Sequence, residues 1–340
     1  MKKLLFLSLI ALGTSCKNGA LVNSTKNVDP TQYMKTITAE DLKKHLYIIA
    51  ADSMQGRETG SAGQKKAGRY LIGEYQKNQV SFPKGASDFY QAVPAAFLNK
   101  KRNNNLPDSE NIWAFIEGTE KPEEVIVISA HYDHVGIENG EIYNGADDDG
   151  SGTSALLEIA QAFQMAKKAG HGPKRSILFL HVTGEEHGLL GSRYYSENPL
   201  FPLVNTVADV NIDMIGRRDA LHANTNNYVY IIGANRLSAE LDHISATMNQ
   251  KYVGLDLDYR FNDPKDPNRF YERSDHYNFA KHGIPSVFFF NGVHADYHKK
   301  SDEADKIEYD ALEKRTQLAF VTAWELANRK NRIQVDVVKK

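Results

Sequence analysis

From residue 39 onward the chain alternates short runs that are apolar almost throughout with longer stretches whose apolar residues recur at helical spacing. The runs are 111–117 (NIWAFIE), 125–130 (VIVISA), 177–182 (ILFLHV), 207–213 (VADVNID), 228–232 (YVYII) and 286–290 (SVFFF). Because neighbouring as well as alternate positions are apolar, they predict strands covered on both faces. The stretches near 62–78, 153–168, 235–250, 275–282 and 308–328 predict helices. Strands alternating with helices predict an α/β fold: a three-layer sandwich around a mixed sheet that is parallel in its middle. No internal repeat and no clean linker follows residue 35, so 36–330 is expected to be one domain, with 331–340 as a C-terminal tail.

The first 35 residues follow another pattern. Lys2 and Lys3 precede an apolar run from Leu4 to Leu12 and the small residues Gly13, Thr14 and Ser15, a targeting segment too short to span a bilayer, which takes roughly 20 apolar residues. Residues 16–35 are polar and suit a flexible tether. Across 340 residues, 41% are hydrophobic and 25% charged, and the net charge is −2, which excludes a disordered chain and any overall basic field for nucleic acid. There is one cysteine, Cys16, so neither an internal disulfide nor a cysteine zinc site is possible. Leu12-Gly13-Thr14-Ser15-Cys16 resembles the lipobox of bacterial lipoproteins. That resemblance implies removal of residues 1–15, acylation of Cys16, and a membrane-anchored domain in the periplasm or at the cell surface of the bacterial envelope.

Candidate chemistry gathers behind the predicted strands, where open α/β sheets place their sites. His131-Tyr132-Asp133 follows one strand, Glu185-Glu186 another and Asp213 a third, while Asp147-Asp148-Asp149 lies between glycines ahead of a helix and His298 stands further on. Taken singly, these also fit a surface pair, a helix-end acidic cluster, a cap or a solvated turn. Together, two histidines and several carboxylates suit divalent ions, zinc best. His131, Asp147, Glu186, Asp213 and His298 supply the roughly five ligands that two ions sharing one carboxylate require. Glu185 is left beside them as a general base.

The ordered set His131-x-Asp133, Gly145-Ala146-Asp147-Asp148-Asp149-x-Ser151-Gly152, Glu185-Glu186, Asp213-Met214, Ser274-Asp275-His276 and Tyr297-His298 resembles metallopeptidase family 28, the co-catalytic zinc aminopeptidases and the relatives of glutamate carboxypeptidase. Gln55-Gly56-Arg57-Glu58-Thr59-Gly60-Ser61 resembles the glycine-rich entry to that domain. The likeness implies the zinc-dependent exopeptidase fold and two Zn2+ ions per chain. Asp147 would bridge the ions, with His131 and Asp213 on one and Glu186 and His298 on the other. Glu185 would be the base, Asp133 would orient His131, and Tyr271 would hydrogen-bond the tetrahedral intermediate. The peptide after the bridging aspartate would be cis, between Asp147 and Asp148. The sequence lacks the cysteines that flank the tyrosine in some members, and Lys299-Lys300 replaces a commonly neutral pair.

The expected reaction is removal of N-terminal residues from peptide substrates. Two other readings share the fold: a mononuclear glutaminyl cyclase-like acyltransferase, and a catalytically dead binding lipoprotein, which would be expected to have lost ligands. A serine hydrolase is disfavoured because no Gly-x-Ser-x-Gly elbow occurs. The segment from Asn262 to Phe270 is read as an exposed loop on the substrate rim. His134, His187, His276 and His294 lie near these motifs without an assigned role.

Overall fold

The computed structural model describes residues 28–100 and 105–336; the targeting segment and Cys16 fall outside that range. In chain order the strands are β1 (Tyr90–Val93), β2 (Ser109–Ile116), β3 (Lys121–His131), β4 (Gly136–Glu138), β5 (Glu141–Tyr143), β6 (Arg175–Val182), β7 (Thr206–Ile212), β8 (Tyr228–Ile232), β9 (Asp256–Asp258) and β10 (Ser286–Phe290). The helices are α1 (Thr31–Met34), α2 (Ala39–Ile49), α3 (Ala62–Lys77), α4 (Ala95–Leu98), α5 (Gly152–Lys168), α6 (Leu190–Glu197), α7 (Ala234–Leu237), α8 (Ala239–Met248), α9 (His276–Lys281) and α10 (Tyr309–Asn328).

Eight strands form one sheet in the order β1-β2-β6-β3-β7-β10-β8-β9. The middle four, β6, β3, β7 and β10, are parallel, and β2 and β8 join them antiparallel. The six apolar runs are the six long strands. Their two-sided burial has the expected cause: along β3, Ile126, Ile128 and Ala130 pack towards the large helical layer while Val125 and Val127 face the other way. That large layer holds α2, α3, α5, α8 and α10, and α6 and α9 cover the opposite face. Local signals set the helix starts. Thr38 caps α2 by accepting from the Asp41 amide, with Glu40 and Asp41 in the first turn, and Ser61 caps α3 in the same way.

Two boundaries differ from the sequence expectation. Residues 28–35, assigned to the tether, belong to the packed domain: Tyr33 and Met34 of α1 are buried, Tyr33 stacks on Trp324 and its hydroxyl bonds His171 Nδ1 at 2.7 Å. Two apolar side chains suffice to dock a four-residue turn, yet they are too few to raise a periodic signal. The tail is also anchored up to residue 336, through buried Ile333 and an Asp336 carboxylate that accepts from the first amide of α8.

Candidate active site

Four parallel strands deliver the site from one edge. His131 is the last residue of β3, Asp213 follows β7, Glu185 and Glu186 lie in the loop after β6, and His298 lies in the loop after β10. A fifth element, the turn 145–151 that leads into α5, brings the acidic triplet over them. Gly145 makes that turn possible: its φ is +55°, and a side chain there would collide with the Asp148 carbonyl and the His134 ring.

Asp148 occupies the centre. Its Oδ1 lies 3.2 Å from His131 Nε2 and its Oδ2 lies 3.0 Å from His298 Nε2. His131 Nε2 is also 3.6 Å from Asp213 Oδ1, and His298 Nε2 is 3.0 Å from Glu186 Oε2. Two overlapping groups could hold a metal ion, His131–Asp148–Asp213 and His134–Asp148–Glu186. Asp147 is turned away. Its Oδ1 accepts from the Gly216 amide at 2.6 Å and its Oδ2 faces His294 Nε2 at 3.1 Å. The carboxylate between the two histidines is therefore Asp148, one residue beyond the Asp147 that the sequence pointed to, and the cis peptide is Asp148–Asp149 where Asp147–Asp148 was expected.

Asp133 also acts differently from expectation. His131 Nδ1 is bonded at 3.1 Å to the main-chain carbonyl of Asp133, and the Asp133 carboxylate is 3.8 Å from that nitrogen. The carboxylate instead accepts from Thr59 Oγ1 and from the Glu185 amide, so it fixes the loop carrying the two glutamates. Donation from Nδ1 leaves Nε2 of His131 directed at the carboxylates. Tyr271 is not in the cluster. It packs on Arg236 and His276 and lines a separate cavity of about 300 Å³ beside Pro264 and Pro267; of the 262–270 loop, Phe270 lines the cleft beside the carboxylates. The tyrosine in the cleft itself is Tyr297, which shares it with Asp148, Glu185 and Asp213 and stacks on His298 at 3.9 Å between ring centres. Sequence reading missed His134, whose Nδ1 bonds Glu186 Oε1 at 2.7 Å; its place directly after Asp133 was the available signal.

The electrostatics point to a cation. Burial disfavours charge on His131, but Glu185, Asp213 and Asp148 outweigh it and hold the imidazole well above its usual range. His298 is likewise pushed up to about 10, burial being overcome by Asp148 and Glu186. Glu186 falls to about 2, because bonds from His134 and His298 exceed the effects of burial and the Asp148 charge. Glu185, half-buried beside Glu186 and Asp213, goes the other way: desolvation and those neighbouring charges push it well above the carboxylate range. Among the described residues the central carboxylates make their ion pairs with imidazoles alone. Imidazole and carboxylate donors in this mixture suit zinc.

One further charge lies behind the cluster. Arg57 is fully buried and donates to the carbonyls of Tyr132, Ile49, Asn144 and Gly145, clamping the His131 and Asp148 loops together.

The sequence profile of Peptidase family M28 matches residues 111–323, more than half the chain. The chain belongs to peptidase family M28. The chain is 24% identical over 334 residues to Aminopeptidase YwaD of Bacillus subtilis, covering 88% of this chain and 66% of that protein. It is 37% identical over 130 residues to a probable glutamate carboxypeptidase of Arthroderma benhamiae, covering 37% of this chain and 17% of that protein. The chain thus spans less than two thirds of the length of either M28 relative. Among solved structures, an aminopeptidase from Aneurinibacillus sp. strain AM-1 superposes with a TM-score of 0.66 at 16% identity, over 92% of this chain and 99% of that one; the shared feature is the M28 fold.

Proposed function

We propose that the protein is a two-metal aminopeptidase that removes N-terminal residues from peptides. The observation that carries this reading is Asp148, a buried carboxylate with one oxygen towards each of two histidine–carboxylate sets. His131, Asp148 and Asp213 would hold one Zn2+, and Asp148, Glu186 and His298 the other. His298 is preferred to His134 because its Nε2 is equidistant from Asp148 and Glu186, whereas His134 Nδ1 is close only to Glu186, 3.9 Å from Asp148. His134 then supports Glu186. When bound, the metals would acidify a water and polarise the scissile carbonyl.

The chain's own residues supply the rest. Glu185 lines the same cleft and takes the proton from the attacking water, then hands it to the leaving amine. Burial, with Asp148 and Glu186 nearby, pushes the Tyr297 hydroxyl far up, so it stays protonated and can donate to the carbonyl oxygen as charge develops. Met214, Phe270, Phe288 and Phe290 line the cleft and suit an apolar first side chain. The acidic surroundings suit a free ammonium group.

The test is a panel of matched peptides with free or blocked amino ends, assayed with and without chelator. Free-amino peptides should be shortened from the N-terminus and blocked ones spared, and chelator should stop the reaction. Equal cleavage of blocked peptides would refute the exopeptidase reading. Cyclised products from N-terminal glutamine, with one zinc per chain, would favour the acyltransferase. On the N-terminal sequence we also propose a lipid on Cys16 that holds the domain at the bacterial envelope; Cys16→Ser should move the protein from the membrane to the soluble fraction.

A further inference from the structure

Below Asp213 a file of polar side chains runs into the sheet. Ser274 Oγ lies 2.6 Å from Asp213 Oδ2, and Asn211 Nδ2 lies 2.7 Å from Ser274 Oγ. Ser129 Oγ, on the neighbouring strand β3, lies 2.9 Å from Asn211 Oδ1 and 2.8 Å from Asp209 Oδ1. Ser129, Asp209, Asn211 and Ser274 are all buried.

The protons in this file can be counted. An ionised carboxylate only accepts, so the single hydroxyl proton of Ser274 goes to Asp213. Ser274 must then accept from an N–H, which turns the Asn211 amide nitrogen towards it and the amide oxygen towards Ser129. The one proton of Ser129 goes to that oxygen. The remaining 2.8 Å contact, between Ser129 and Asp209, then has no proton unless Asp209 provides it.

We propose that Asp209 is held as a neutral carboxylic acid, and that as the first donor of the series Asp209→Ser129→Asn211→Ser274→Asp213 it is a positioning residue for the Asp213 carboxylate. The inference rests on the reading of Asp213 as a metal-holding group. The surroundings of Asp209 agree with it. Its Oδ2 has no hydrogen-bond partner, and among the described residues no lysine, arginine or histidine forms an ion pair with it. The ionisable groups around it, Asp275 and the Tyr195 hydroxyl, offer no positive charge. Burial and the charge of Asp275 push its carboxyl well above the ordinary range. A neutral first donor lets every bond run towards Asp213 without placing a second anion beneath it. Bonds aligned head to tail polarise one another, which fixes Oδ2 of Asp213 and leaves Oδ1, on the His131 side, for the cation.

Two measurements test this. The infrared difference spectrum of metal-free wild type minus Asp209→Asn should contain the carbonyl stretch of a protonated carboxylic acid; its absence would overturn the proposal. That readout needs neither bound zinc nor turnover. Zinc competition against a chromogenic chelator should show the site that includes Asp213 weakened about 10–100-fold in Ser129→Ala and changed by less than about threefold in Asp209→Asn, whose amide still donates to Ser129. Equal weakening of both sites in Ser129→Ala, tracking a fall in Tm, would mark a merely structural role and overturn it. If Ser129→Ala fails to fold, the infrared result on Asp209→Asn decides alone. A wild-type protein that binds no zinc would instead sink the functional reading while leaving the infrared result standing.

Discussion

The two halves of the cluster are built differently. On the His131–Asp213 side the groups are extensions of strands: His131 is paired in register with Val182 of β6, its carbonyl accepts from Thr153, and Asp213 is bonded by Ser274. On the Glu186–His298 side both groups hang from loops, and the His298 side chain is 40% exposed. What holds that side is a set of ties between loops. His294 pairs with Asp147, and Asp296 gathers Arg217, Ser301 and Lys306. One half is thus set by the sheet and the other by loop-to-loop contacts, so the two proposed metal positions should differ in affinity although both would include Asp148.

The largest effect should come from removing what the halves share. Asp148→Ala should cut zinc from about two per chain to below about one and abolish turnover, whereas Asp147→Asn should keep both ions; elemental analysis of the two variants tells them apart. A loss of zinc in Asp147→Asn equal to that in Asp148→Ala would restore the original assignment. Glu185→Gln should cost about 10²–10⁴ in kcat with zinc content unchanged, since it belongs to neither half. The halves themselves should separate on titration with chelator, the Glu186–His298 ion leaving first. Ser274→Ala should weaken only the tighter site, by about 10–100-fold, and His294→Ala should weaken only the looser one. The smallest effect on the difference should come from acid. Burial pushes His181 and His276 down to about 3, well below their unfolded value near 6.5. The folded state therefore resists their protonation, and the stability they contribute is complete above pH 6.5 and lost as the pH falls towards 3. Each should cost up to about 1.4 kcal/mol per pH unit, visible as a falling Tm in metal-free protein and relieved in part by His181→Gln.

What was readable in the sequence follows the same division. The six long strands were legible because burial on both faces leaves unbroken apolar runs, and His131 and Asp213 could be placed because a strand end fixes where a side chain begins. Asp147, Asp148 and Asp149 could not be told apart by spacing, since in an irregular turn the backbone dihedrals decide which carboxylate points inward. Tyr271 and Tyr297 are a similar case: both lie near the motifs in sequence, and only the packing of the 262–270 loop sends one to the outer cavity and leaves the other over His298. The partnership of Asp147 with His294 spans nearly 150 residues and has no local signature.

The Arg57 clamp has a consequence for how the protein comes into being. A guanidinium stays protonated throughout the physiological range, and here it is covalently part of the chain, so the positive charge behind the acidic cleft is delivered by the ribosome and cannot dissociate. Small metal domains such as zinc fingers fold only as the ion arrives. In this protein the loops bearing His131 and Asp148 are tied to one another by a group that no chelator can remove, so on the proposed function folding would precede metal uptake and a protein stripped of metal should refill.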